Sequence, residues 1–249
     1  MSAAAWVLRQ YTLLVNIQIR SMRAAFWFIM VIQISFAAGL VLGLGYLIPD
    51  ISKETATYLT VGAATQQFVT VGLVMLPQFI TEAKTLGRLE YFLTMPISRE
   101  AYLMAQLSVV AMLALPGVIL TLALGSVRYG IGLSVDPIVV LVALLAMLSL
   151  AGVGVALGMA CPLPEVTNSI TNLIIFYVLF FAPVLVPSSQ LPWVLQKTAL
   201  VMPPTYAADA MRATLTHLPD THLGSSLLVM AGFAIASSAL SAVMIRRQG

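Results

Sequence analysis

Charge is scarce in this chain. Only 8% of its 249 residues are Asp, Glu, Lys or Arg, where a soluble domain carries roughly 25%. Hydrophobic residues make up 60%, and mean hydropathy is +1.00. So few charges cannot coat a water-exposed surface, so lipid is the expected solvent. Cysteine is nearly absent as well. Cys161 stands alone, which excludes an internal disulfide and a cysteine metal cluster. The two histidines, His217 and His222, flank Asp220 in a polar stretch beside Pro219. No third ligand accompanies them, so no metal site is expected.

Catalytic motifs are missing too. Lys53, Lys84 and Lys197 all lack the glycine frame of a phosphate-binding loop. There is no H-E-x-x-H and no G-x-S-x-G. The chain is therefore not expected to be an enzyme. Arg9, Arg20 and Arg23 interrupt the N-terminal region, which does not read as a cleaved signal peptide.

What is present is a series of long uncharged runs. A membrane-crossing helix needs about 20 mostly apolar residues. Six windows free of Asp, Glu, Lys, Arg and His meet that need: Ala24–Pro49, Thr55–Thr81, Ala101–Val127, Pro137–Pro164, Val166–Gln196 and Leu223–Ile245. Continuous apolar runs favour helices over barrel strands. The expected fold is all-α and membrane-integral, a single domain with spans near 24–48, 56–81, 101–126, 138–161, 167–187 and 224–245. The fifth window is longer than one span and Pro183, Pro187 and Pro192 punctuate its end, so its helix is expected to stop near Pro187, with a surface segment after it over 188–223. Pro77 and Pro116 are expected to bend the second and third spans.

Residues 6–23 read as a separate interfacial helix. Arg9, Thr12, Asn16, Arg20 and Arg23 recur at helical steps, with Val7, Tyr11, Leu14, Val15 and Met22 opposite. A plain extension of the first span is the alternative. Loop charge sets orientation. With both termini inside, eight Lys and Arg are cytoplasmic (Arg9, Arg20, Arg23, Lys84, Arg88, Arg99, Arg246, Arg247) and four are outside (Lys53, Arg128, Lys197, Arg212).

The spans carry no ionisable group, which counts against a self-powered pump. Uncharged polar residues do occur. Gln33, Gln66, Gln67, Asn168 and Asn172 are candidate passage-lining residues, with helix–helix hydrogen bonding as the alternative role. Gly154-x-x-x-Gly158 permits close helix packing, within the chain first and between subunits second. Stretch 82–99 mixes charge with the apolar anchors Leu86, Leu89, Phe92 and Leu93 at helical spacing. Its Glu82 and Glu90 favour a protein partner over a lipid surface. On the outer side, Trp193 and Tyr206 are expected at the lipid–water interface, and Asp209 and Arg212 are spaced to pair on a helix.

Two segments resemble a known family. Glu82…Gly87-Arg88-Leu89-Glu90…Pro96-Ile97-Ser98-Arg99 looks like the loop of ABC-2-type permeases, the membrane subunits of ATP-binding-cassette exporters. Leu191-Pro192-Trp193-Val194-Leu195…Met202-Pro203-Pro204-Thr205-Tyr206…Asp209-Ala210-Met211-Arg212 is similar to that family's segment before the last span, with Met202 where Asn is frequent. The resemblance implies a separate ABC ATPase in two copies, a second permease copy forming a homodimer, and a route between the permeases. ATP and Mg belong to the ATPase, and this chain itself holds no cofactor. It also implies that Glu82, Leu86, Gly87, Arg88, Leu89, Glu90 and Phe92 form an ATPase-coupling element, that the outer segment 188–223 is a re-entrant or surface helical hairpin, and that Trp193, Tyr206, Asp209 and Arg212 belong to an outer gate there. The coupling element is expected to tilt the second and third spans. Further partners are the lipid bilayer of the cell membrane and no nucleic acid. The expected cargo is an amphipathic drug or lipid moved outward. Alternatives are a lipid-linked glycan, or a passive channel or secondary transporter.

Overall fold

The computed structural model describes residues 3–47, 51–88, 99–134, 136–185, 191–216 and 223–247. Among them it is all-helical, without strands, and six helices are long and apolar enough to cross a membrane. In chain order these are α1 (Ala3–Ala38), continued by a π-helical segment Gly39–Gly43 and α2 (Leu44–Leu47); α3 (Lys53–Val69), a π-helical segment Thr70–Met75 and α4 (Leu76–Thr85), together one span; α5 (Arg99–Tyr129); α6 (Ile138–Ala160); α7 (Pro164–Phe181); and α10 (Leu223–Arg247). Between the last two lie the short helices α8 (Trp193–Ala199) and α9 (Pro203–Leu215).

The second span is the hub. An 18-residue window within Lys53–Thr85 is 89% buried inside the chain, against 17% for the windows of the fifth and sixth spans. On one flank α3 packs against α5, which in turn carries α1; on the other, α4 packs against α6, which carries α10. The α4 half also meets α7, and the α3 half meets α9. The third and fourth spans, consecutive in the chain, touch only sparsely.

Small residues set this geometry. A Cβ on Gly154 would lie 2.0 Å from the Gly72 carbonyl oxygen, and one on Gly158 would lie 2.7 Å from that of Pro77. The two glycines therefore seat the fourth span on the second, inside one chain. Gly152 faces the other way, where a Cβ would meet Ser237 Oγ of α10 at 2.1 Å.

Four expectations need correction. Residues 6–23 are not a separate helix but the start of α1. No Gly or Pro interrupts Ala3–Ala38, so the ladder has no reason to break. Their apolar side also meets protein: Leu14 is buried with Ala101 and Ala105, and Tyr11 donates to Ser108 Oγ at 2.8 Å. The fifth span ends at Phe181 rather than near Pro187, because Ala182 precedes Pro183 and is extended (φ −93°, ψ 147°). The second span runs past Thr81 to Thr85. Finally, the two expected proline bends differ. Ahead of Pro77, which has no N–H to donate, the helix switches to the π register at Thr70–Met75; α5 stays α-helical through Pro116.

Candidate functional site

Two polar constructions stand out, one at each end of the hub. The first sits where the second span enters the 82–99 stretch. Lys84 Nζ donates to the carbonyl oxygens of Met159 (3.0 Å) and Cys161 (2.5 Å), capping the C-terminus of α6. A cation there satisfies orphan carbonyls and suits the helix dipole. One turn earlier, Thr81 is buried and donates to Pro77 or Gly158 oxygen while sharing a 2.9 Å hydrogen bond with Thr167 Oγ1 of α7. Gln78 Nε2 reaches Asn168 Oδ1 and Thr171 Oγ1, both at 3.2 Å. The end of the second span is thus tied to the end of the fourth and the start of the fifth, not to the third.

Just beyond, α4 stops at the cap residue Leu86, which is 63% exposed. Gly87 adopts φ +69° and donates its N–H to the Lys84 oxygen at 3.1 Å. A Cβ at Gly87 would meet nothing within 4 Å, so backbone conformation, not crowding, calls for glycine here. Leu86 therefore belongs to the cap of the preceding helix rather than to a helix shared with Leu93. Glu82 and Arg88 form an exposed ion pair at 2.9 Å across this turn. Leu89, Glu90, Phe92 and Leu93 lie outside the described residues.

The second construction is built around Arg212, 1% exposed and the one charged side chain buried among the described residues. Its guanidinium lies 3.4 Å from the Tyr58 ring centroid. It donates to the carbonyl oxygens of Val184 and Pro183 and pairs with Asp209 at 3.2 Å. Gly62 makes room, since a Cβ there would lie 2.0 Å from the Val184 oxygen. Burial lowers the pKa of Arg212, opposed by Tyr58 and Asp209. Arg212 thereby staples α9 to the second span and to the chain leaving the fifth. Spacing alone pointed to Asp209 as its partner; the ring and the two carbonyls come from elements distant in sequence. Tyr206 Oη donates to the Leu200 oxygen at 2.8 Å. Trp193 is 68% exposed, with Lys197 Nζ 5.2 Å from its ring centroid.

The five candidate passage residues do not share a surface. Gln33, Gln66 and Gln67 are buried in the bundle. Gln33 Nε2 donates to the Leu113 oxygen at 2.7 Å, and Gln67 Nε2 to Thr121 Oγ1 at 3.3 Å. Both side-chain oxygens converge on Gly117, where a Cβ would come within 2.3 Å of Gln33 Oε1 and 3.0 Å of Gln67 Oε1. Contact with a glycine Cα–H is the weak bond available to them. The Gln33 and Gln67 amides join helices inside the bundle, whereas Asn168 and Asn172 lie on the exposed face of α7 and bond each other at 3.2 Å, Asn168 Oδ1 also accepting from Gln78. Phe176 and Phe180 continue that face, exposed and stacked with centroids 6.2 Å apart.

A chain with this bundle, this capped turn after the second span and this α8–α9 segment before the last matches the profile of the ABC-2 type transporter family over residues 6–216. The chain belongs to the ABC-2 type transporter family. It is accordingly a multi-pass membrane permease of an ABC transporter, not the ATPase, and an ABC ATPase is its general partner. No curated protein matches the sequence. Sequence reading named Glu82 and Arg88 of this ABC-2 permease but counted Lys84 only as loop charge. The signal was there: a lysine one helical turn past Thr81, ahead of a glycine, at a helix end.

Proposed function

We propose that this permease exports an amphipathic drug-like or lipid-like compound across the cell membrane, both termini cytoplasmic, as a homodimer driven by two ATPase subunits. ATP and Mg act in those subunits. The 82–99 stretch receives their movement, with Leu86, Arg88, Leu89, Glu90 and Phe92 at the contact and Gly87 shaping the turn. The observation that carries the reading is the tie through Lys84, Thr81 and Gln78. A push on the stretch moves the hub, and with it the fourth and fifth spans as one body. This replaces the expected tilting of the second and third.

The passage runs between the two copies along α7. Its exposed face is polar at Glu165, Asn168 and Asn172 and aromatic at Phe176 and Phe180. Hydrocarbon disfavours such exposed polar groups, and a head-and-tail cargo suits both halves. A lipid-linked glycan is the second reading, favoured by the stacked phenylalanines. On the outer side, α8 and α9, held by Arg212, close the exit. The test is ATP-dependent transport in proteoliposomes holding the permease and its ATPase. Leu89→Asp should abolish transport while ATP hydrolysis continues. Unchanged transport by that variant, or uphill transport by the permease alone, overturns the proposal.

A further inference from the structure

A pocket of about 500 Å³ opens between the third and fourth spans, away from the proposed passage. Its floor is formed by the buried side chains of Phe68, Met147 and Met211, so the hub and α9 both contribute. Its mouth is formed by Ile119, Val140 and Leu144, each half-exposed or more. Ser126 brings the single side-chain hydroxyl in the lining, and no charged residue takes part. The pocket lies in the half of the membrane adjoining the 130–137 connection, because its walls come from the end of α5 and the start of α6.

What fills it follows from size and solvent. Water is excluded, since a buried water needs two to four polar partners and one hydroxyl cannot supply them. Vacancy is costly, since the lining atoms would lose dispersion contacts on that side. The mouth is flanked by two membrane-crossing helices, so hydrocarbon is the medium at its opening. We infer that this pocket is a lipid site that holds one acyl chain of a bilayer phospholipid, wedged between the third and fourth spans and resting on α9 through Met211. The chain completes the packing that these two consecutive spans lack, and the site does not depend on the cargo or direction of transport.

The experiment uses the full-length permease in nanodiscs containing phosphatidylethanolamine with a diazirine midway along one acyl chain. After illumination, labelled residues are mapped by peptide mass spectrometry. Label on peptides carrying Ile119 and Leu144 should exceed, several-fold, that on the outward residues Leu228 and Ile235 of α10. Ala143→Phe, which fills the pocket, should remove the excess and leave the α10 label unchanged. Should that variant fail to insert, the milder Ala111→Leu is read the same way. Equal labelling of pocket and α10, or an excess that survives filling, overturns the inference. So does efficient disulfide formation between two copies carrying Ile119→Cys in a Cys161→Ser background, which would give the pocket to a neighbouring subunit.

Discussion

Replacing Arg212 by methionine removes the staple at one end of the hub while keeping most of the side-chain volume. The cation–π contact with Tyr58, desolvated as it is, is worth about 2 kcal/mol. Hydrogen bonds from a charged donor to the Pro183 and Val184 oxygens contribute about 1.5–3 kcal/mol each. The pair with Asp209, whose side chain is 39% exposed, adds less than about 1 kcal/mol. Against these stands the cost of burying the guanidinium, several kcal/mol, which methionine does not incur. The variant leaves the Val184 oxygen without this donor at about 1–3 kcal/mol, while the Pro183 oxygen keeps the Tyr58 hydroxyl at 3.2 Å; with the lost ring contact set against the relieved burial cost, the net loss is about 2–4 kcal/mol. For a chain of this length, each kcal/mol lowers the unfolding temperature by about 2–4 °C. Thermal unfolding of the detergent-purified permease, followed by intrinsic fluorescence, should therefore shift down by about 5–15 °C. Arg212→Lys keeps the charge but not the planar fork that serves ring and carbonyls together, so it should recover little. A methionine variant that unfolds at the wild-type temperature, or a lysine variant that matches wild type, would refute this account of the staple.

Other consequences are equally direct. Lys84→Met uncaps α6 and should reduce transport in proteoliposomes far more than ATP hydrolysis; equal loss of both would show that the tie does not transmit movement. Gly154→Ala places a methyl group against the Gly72 oxygen and should cost about 1–3 kcal/mol, read as a lower unfolding temperature, whereas Gly224→Ala, with nothing within 4 Å, should have almost no effect. Gln33→Leu removes the buried hydrogen bond to the Leu113 oxygen and should cost about 0.5–1.5 kcal/mol; an unchanged unfolding temperature in the same assay would show that this amide does not join the first and third spans. Gly87→Ala should cost about 1 kcal/mol through its positive φ without any steric clash, a difference measurable by chemical denaturation.

Read one residue at a time, the chain already disclosed the six spans, the all-helical class and the family. Runs of uncharged residues long enough to cross hydrocarbon report their environment directly, since transfer into lipid depends on composition and length. The Asp209–Arg212 pair was legible for the same reason, being three residues apart on one helix. Packing is another matter. That the second span is the hub, that Gly154 and Gly158 serve it and not a second subunit, and that Lys84 caps the fourth span all depend on which helices lie side by side. Apolar faces of similar hydropathy do not distinguish a neighbour from lipid. The glutamines illustrate this: Gln33 and Gln67 look like Asn168 and Asn172 in the sequence, yet the first pair joins helices inside the bundle and the second lies on its surface. Local chemistry shows that a polar group in a span needs a partner, while the long-range arrangement of helices selects which partner it receives.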